Sequence, residues 1–270
     1  MLVSSRLVLQ TPFQGKEAFK THFNYADCLA SLTQGVTLKY GGLLSKCALP
    51  YLDTKKNLIE LTKKSLDEEY KIVQMDNDFS FASTCWLPVK AYYLFFNLLL
   101  TIEYILNPQR SVFSSGHGAC VGEFTRKLSA NEIIFSERLL NQVFDQMIFS
   151  HHETPGANLK RNISFDRRYK LVLAKTADYK FEEWQRRSGI TSFRSTDART
   201  CRAKFLRKFQ ISIFEFPYYM RLRANYKDFA FIEGVSVVET AKYFNSYYAF
   251  VLEFYRALNE LKSALIKMRT

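Results

Sequence analysis

From residue 53 onward, apolar positions recur at helical spacing. Leu58, Leu61, Leu66 and Val73 recur at near-helical spacing, while Lys55, Lys56, Lys63, Lys64, Asp67 and Glu68 occupy the other faces. The pattern predicts a helix over 54–75, capped by Asp53 or Thr54 and ended by Asp76-Asn77-Asp78. A second helix is predicted over 79–107. Past Tyr92 it is apolar nearly all round, which requires burial on several sides. Pro88 removes one helical hydrogen bond and predicts a kink or restart between 84 and 88. The apolar run Ala91–Ile102 falls short of the roughly 20 residues a bilayer demands. It carries Asn97 and is flanked by Lys90 and Glu103, so it reads as core, with no membrane partner.

Gly116-His117-Gly118 opens a third predicted helix, 118–128. Ser129-Ala130-Asn131-Glu132 has capping-box spacing and predicts a fourth helix reaching 150, with Ile133, Leu140, Phe144 and Met147 on one stripe. A second capping box, Ser236-Val237-Val238-Glu239, precedes Ala241, Phe244, Tyr248, Val251, Tyr255, Leu258, Leu261, Leu265 and Met268. That last helix is about 32 residues, on the order of 48 Å at the helical rise. Residues 1–52 show no such rhythm. Leu2-Val3 and Leu7-Val8-Leu9 suggest a short strand, and Gly41-Gly42 and Pro50 read as breakers.

Composition adds a polyanion partner to this picture. Only 10 Gly and 6 Pro in 270 residues favour long helices over turn-rich β architecture, and the formal net charge is +12. Residues 160–210 hold fifteen basic side chains against five acidic ones, a net +10. Such a stretch suits RNA, DNA or an acidic protein. Arg167, Arg168, Arg186, Arg187, Arg194, Arg199, Arg202, Lys204, Arg207 and Lys208 are its candidate nucleic-acid contacts, with Trp184, Tyr169 or Tyr179 available to stack on bases. The five cysteines are odd in number and lack C-x-x-C or zinc spacing, which points to reduced thiols in a cytoplasmic protein and to no metal site. The chain carries no Walker loop, G-x-G-x-x-G or G-x-S-x-G, so nucleotide-cofactor chemistry and serine hydrolysis are disfavoured and no cofactor is expected.

Four motifs in order then resemble the HEPN superfamily. They are the helix from Leu58 to Val73, Lys90-Ala91-Tyr92-Tyr93-Leu94-Phe95-Phe96-Asn97-Leu98-Leu99-Leu100, His117 through Phe124, and Arg221-Leu222-Arg223-Ala224-Asn225-Tyr226-Lys227-Asp228 ahead of the last helix. The resemblance implies an all-α bundle. Its parts would be an irregular N-terminal extension (1–52), a first set of helices (53–150), a basic insertion (151–210) and the last helices (211–270). It also implies a metal-independent endoribonuclease of a bacterial toxin–antitoxin or phage-defence system. The enzyme would be a homodimer, with an Arg and a His separated by four to six intervening residues at its seam and an antitoxin or defence-complex subunit as a further partner.

The chain departs from that pattern. Asn225 stands where the family has an acid, and Tyr226 stands where its histidine would fall after Arg221. Arg110 precedes His117 at a permitted spacing, but in a loop. Arg221, Asn225, Tyr226 and His117 are therefore the candidate catalytic residues. RNA cleavage and a non-catalytic nucleic-acid-binding or protein-docking adaptor both stay open. The aromatic stripe of the second helix reads as core.

Overall fold

A computed structural model describes residues 16–30, 38–40, 51–107, 116–135, 137–151, 164–226 and 235–269. Within them lie eight α-helices: α1 (Lys16–Ala30), α2 (Tyr51–Val73), α3 (Asn77–Leu106), α4 (His117–Ser129), α5 (Phe165–Arg187), α6 (Thr196–Arg207), α7 (Phe216–Tyr226) and α8 (Val237–Arg269). Two antiparallel pairs of short strands accompany them. β1 (Leu38–Tyr40) runs against β2 (Ile133–Phe135), with Leu38 opposite Phe135, and β3 (Val143–Phe144) runs against β4 (Ile211–Ser212). The fold is all-α.

The apolar pattern of α3 dictates the architecture. Leu87, Ala91, Leu94, Phe95, Leu98, Leu99, Ile102 and Ile105 point to several sides, and all are buried. α8 packs along the length of α3, α1 lies on α8, α2 and α7 flank α3, and α4 lies along the second half of α3. Phenylalanines fill the seam. Phe95 meets the edges of Phe250 at 5.9 Å and Phe254 at 4.9 Å, and Phe254 continues to Phe214 at 4.8 Å. Such pairs add about 0.5–1.5 kcal/mol each beyond the area they bury. α3 is long and apolar enough to cross a bilayer, but most of that apolar stretch is buried against these neighbours. Asn97 is satisfied there. It donates to the Tyr93 carbonyl at 2.8 Å and accepts from Lys55 Nζ at 2.8 Å.

Several elements differ from the expectations. α3 runs unbroken through Pro88, because buried Leu87 and Val89 on either side hold the helix across the missing hydrogen bond. The expected helix over 129–150 is absent. Asn131 takes a left-handed φ of 55°, Glu132 N–H reaches back to the Lys127 carbonyl, and Asn131 N–H reaches the Leu128 carbonyl. That pair of bonds ends α4 as a Schellman cap, so Ser129 closes a helix where the spacing predicts an opening. β2, β3 and two 3-10 turns, 138–141 and 146–150, occupy the stretch instead. In α2 the buried line is Ile59, Leu66 and Val73, while Leu58 and Leu61 face outward. The N-terminal region is not wholly irregular: α1 buries Tyr25, Ala26, Cys28 and Leu29 in the core. The strand expected near residues 2–9 lies outside the described residues. Within the basic insertion, Tyr169, Val172, Leu173, Ala174 and Ala177 of α5 belong to the core.

α5 is pinned by a buried ion pair. Lys180 Nζ donates to Glu215 at 2.7 Å and to the Gln210 carbonyl at 2.6 Å. Thr125 Oγ1 donates to the same carboxylate at 3.1 Å and lies 2.8 Å from Ser212 Oγ. Burial pushes the Glu215 carboxyl up, and Lys180 offsets part of that. The folded state therefore holds the Glu215 proton more tightly than the unfolded chain does. This group's contribution is largest below its unfolded pKa and is lost as pH rises through the folded one. Lys180→Met leaves a buried carboxylate unpaired and is expected to cost about 3–5 kcal/mol in urea denaturation. Lys180→Met/Glu215→Leu is expected to regain most of it; a double variant no more stable than the single one refutes this account.

Candidate functional site

His117 is the first residue of α4, after Gly116 with extended φ and ψ of −61° and 154°. Its imidazole stacks on Phe96 (centroids 4.1 Å apart, planes 26° apart) and takes the edge of Tyr93 at 5.9 Å. Its Nδ1 lies 2.6 Å from the hydroxyl of Tyr92. Tyr92, Tyr93 and Phe96 come from neighbouring turns of α3, so one helix supplies three sides of the imidazole cage. The next residue, Gly118, leaves room for α7: a Cβ there would stand a tight 3.3 Å from the hydroxyl oxygen of Tyr218, the α7 ring that leans on Tyr92 at 5.7 Å.

Arg221, one turn along α7 from Tyr218, completes the cluster. Its guanidinium lies 5.4 Å from the centroid of Tyr92 and 5.3 Å from that of Tyr93, and its Nη2 donates to the Tyr93 hydroxyl at 3.1 Å. Among the described residues no carboxylate pairs with it, and its buried Nε has no acceptor. Burial lowers the pKa of His117, and the positive charge of Arg221 lowers it further. Burial, chiefly, raises that of Tyr92. At neutral pH the site thus holds a guanidinium with no carboxylate partner among the described residues, a neutral imidazole and a protonated phenol. Among the described residues His117 Nε2 makes no hydrogen bond, leaving it for a ligand.

Two of the four candidate catalytic residues therefore meet, Arg221 and His117, joined through tyrosines that the sequence pattern assigns to the core. Asn225 sits half-buried one turn beyond Arg221 and makes no contact with His117 among the described interactions. The side chain of Tyr226, like residue Arg110, lies outside the described residues. The signal for Tyr92 and Tyr93 is the presence of two hydroxyl-bearing rings in an otherwise aliphatic and phenylalanine-rich run.

The basic segment divides into two groups. Arg186 and Arg187 both bind Glu183, at 2.7 and 2.8 Å, and Arg187 also donates to the Tyr218 hydroxyl at 3.2 Å. Arg168 lies 3.5 Å from Asp27, and Arg202 lies over Phe181 and Phe193 at 5.7 and 5.4 Å. Arg167, Arg194, Arg199, Lys204, Arg207 and Lys208 are exposed and make no ion pair among the described residues. Two of the three suggested stacking rings are structural. Tyr169 is fully buried and donates to the Leu139 carbonyl at 2.7 Å, and buried Tyr179 lies beneath Arg223 at 4.6 Å. Trp184 remains half-exposed.

Compared with known proteins, the chain matches no family model, no curated protein and no solved structure.

Because Arg221 helps hold His117 neutral, Arg221→Gln is expected to raise the imidazole pKa toward its ordinary value, read by NMR titration of the ring protons. An unmoved titration shows that the two charges do not interact. The sign for stability is also determined. A lowered folded pKa means that the unfolded chain binds the proton more tightly, so this group's contribution falls as pH drops below the ordinary histidine range.

Proposed function

We propose that the chain is a HEPN-like, metal-independent endoribonuclease in which Arg221 holds the scissile phosphate and His117 carries the proton. The observation that supports this reading is the convergence of a neutral histidine and an arginine with no carboxylate partner among the described residues on one tyrosine pair, from helices about a hundred residues apart in sequence. A planar guanidinium grips two phosphate oxygens at once and stabilises the charge that builds on them in the transition state.

The tautomer decides how His117 acts. With Nδ1–H donating to the Tyr92 oxygen, Nε2 carries a lone pair and can take the ribose 2′-hydroxyl proton. The 2′-oxygen then attacks phosphorus, the bond to the 5′-oxygen breaks, and that oxygen takes a proton from the imidazolium. The products are a 2′,3′-cyclic phosphate and a 5′-hydroxyl. Tyr92, which stays protonated, orients the ring throughout. The exposed basic residues of α6 supply further phosphate contacts. The same reading makes the protein a cytoplasmic homodimer serving toxin–antitoxin or phage defence.

A non-catalytic adaptor is the second reading. It is favoured by exposed Leu58, Leu61, Ile72 and Met75, which form a line along α2 and its end.

Purified protein incubated with total RNA in EDTA is expected to cleave it. His117→Ala is expected to lower the rate by about 10²–10⁴-fold. Arg221→Ala is expected to lower it about 10²–10³-fold, with Arg221→Lys failing to restore it because a point charge lacks the bidentate fork. Wild-type rates in both alanine variants, with loss in Tyr226→Phe, would move the proton carrier to Tyr226. Absence of cleavage with salt-sensitive RNA binding retained would favour the adaptor.

A further inference from the structure

A cleft of about 820 Å³ opens beside the outer half of α5, bounded by the turn 188–195, by α6 and by Phe209. This lies within the range of roughly 300–1,000 Å³ typical of ligand pockets. Its apolar wall is aromatic: Trp184 and Phe205 stack at 4.4 Å with planes 18° apart, beside buried Phe209. Its rim is cationic. Lys204, Arg207 and Lys208 line it without an ion pair among the described residues, against the single carboxylate of Asp197, while Lys180 is already committed to Glu215. Hydroxyls of Thr191, Ser192 and Ser195 complete the lining.

Stacked rings in the wall, beside cations that make no ion pair among the described residues, suit a group that is flat and aromatic at one end and anionic at the other. An acidic peptide would use the cations and leave the rings idle. A duplex would present phosphates but keep its bases stacked internally, out of reach of Trp184. We propose that this cleft captures an unpaired nucleotide unit, with the base against the Trp184–Phe205 pair and the phosphate on Lys204, Arg207 and Lys208. The proposal rests on the nucleic-acid reading above and names the form of substrate that the protein selects. Single strands gain from such rings because every base has a face to stack, whatever the sequence. The cleft also lies near the His117 cluster. Arg187, three residues beyond Trp184 on α5, donates to the Tyr218 hydroxyl, and Tyr218 packs on Tyr92.

The chain has two tryptophans, Trp86 and Trp184, so Trp86→Phe leaves Trp184 as the reporter, and His117→Ala in the same chain keeps the RNA intact. Adding a single-stranded RNA 12-mer is expected to quench Trp184 emission, and the blunt duplex of the same sequence is expected to bind at least tenfold more weakly. AMP and a single-stranded DNA 12-mer form separate arms. Quenching by AMP at similar affinity assigns the cleft to a free nucleotide; quenching by either 12-mer alone assigns it to a strand.

Lys204→Gln/Arg207→Gln/Lys208→Gln alters only exposed side chains. It is expected to weaken strand binding and to lower the slope of log affinity against log salt by about two. Trp184→Ala, followed by anisotropy, is expected to cost about 5- to 150-fold, with Trp184→Phe recovering part of that. Equal affinity for duplex and single strand, or triple-variant binding like wild type, overturns the cleft while leaving nucleic-acid binding in place. Tight single-strand binding without cleavage by the parent chain upholds the cleft and overturns the nuclease. No binding to any probe overturns both.

Discussion

A thirty-residue helix with almost no polar face cannot stand in water, and the rest of the molecule is arranged around that constraint. α3 must be covered on several sides, and α8, α2, α7 and α4 cover it, with α1 sealing α8 from behind. Two polar places on this helix are accommodated differently, one by a neighbour that satisfies it and one where the cover ends. Asn97 is the first case, held by Lys55. Tyr92 and Tyr93 are the second. Tyr92 is 1% exposed and its neighbour Tyr93 is 38% exposed, so the edge of the core passes between adjacent residues. His117 and Arg221 gather at that edge, where water reaches one side and rings line the other.

The surplus of positive charge is partly used in structure. Lys180 neutralises buried Glu215, Lys90 pairs with Glu69, and Arg186 and Arg187 share Glu183. Lys90 ties α3 to α2, Lys180 ties α5 to the turn before α7, and Arg186 and Arg187 pair within α5, so these cations are poor candidates for binding a ligand. Arg221 is different, because rings surround it and no acid answers it among the described residues. Guanidinium suits this place better than ammonium: it is planar, it lies over aromatic faces, and it is more weakly hydrated.

Local signals in the sequence carry well where they act alone. The capping box at Ser236 forms as its spacing predicts, with Glu239 accepting from the Ser236 N–H at 3.1 Å and Ser236 Oγ accepting from the Glu239 N–H at 3.3 Å. α8 then runs to residue 269. Signals fail where two local preferences compete. Ser129 to Glu132 can open a helix or close one, and Asn131 in the left-handed region decides for closure. The stripe of α2 is ambiguous because leucines occupy two faces, and only the position of α3 tells which face is inside. Pro88 suggests a break because a local rule does not include the packing on either side. The site is legible as residue types but not as a cluster, since nothing in a linear chain announces that positions 117 and 221 share a pair of tyrosines.

α5 connects these features. Its N-terminal half lies in the core, and Lys180 anchors its middle to the turn after β4. Beyond that anchor the same helix presents Trp184 to the cleft and Arg187 to Tyr218. Three residues on a helix are about 4.5 Å apart along the axis and about 60° apart around it. A rigid, internally anchored element thus sets the spacing between the aromatic wall and the tyrosines that hold His117. Because Lys180 anchors α5, the Lys180–Glu215 pair helps position both places. The net charge of this stretch identifies a basic surface, but the split, among the described residues, between cations that are paired and those that are not gives that surface a direction, from the rim of α6 toward Arg221.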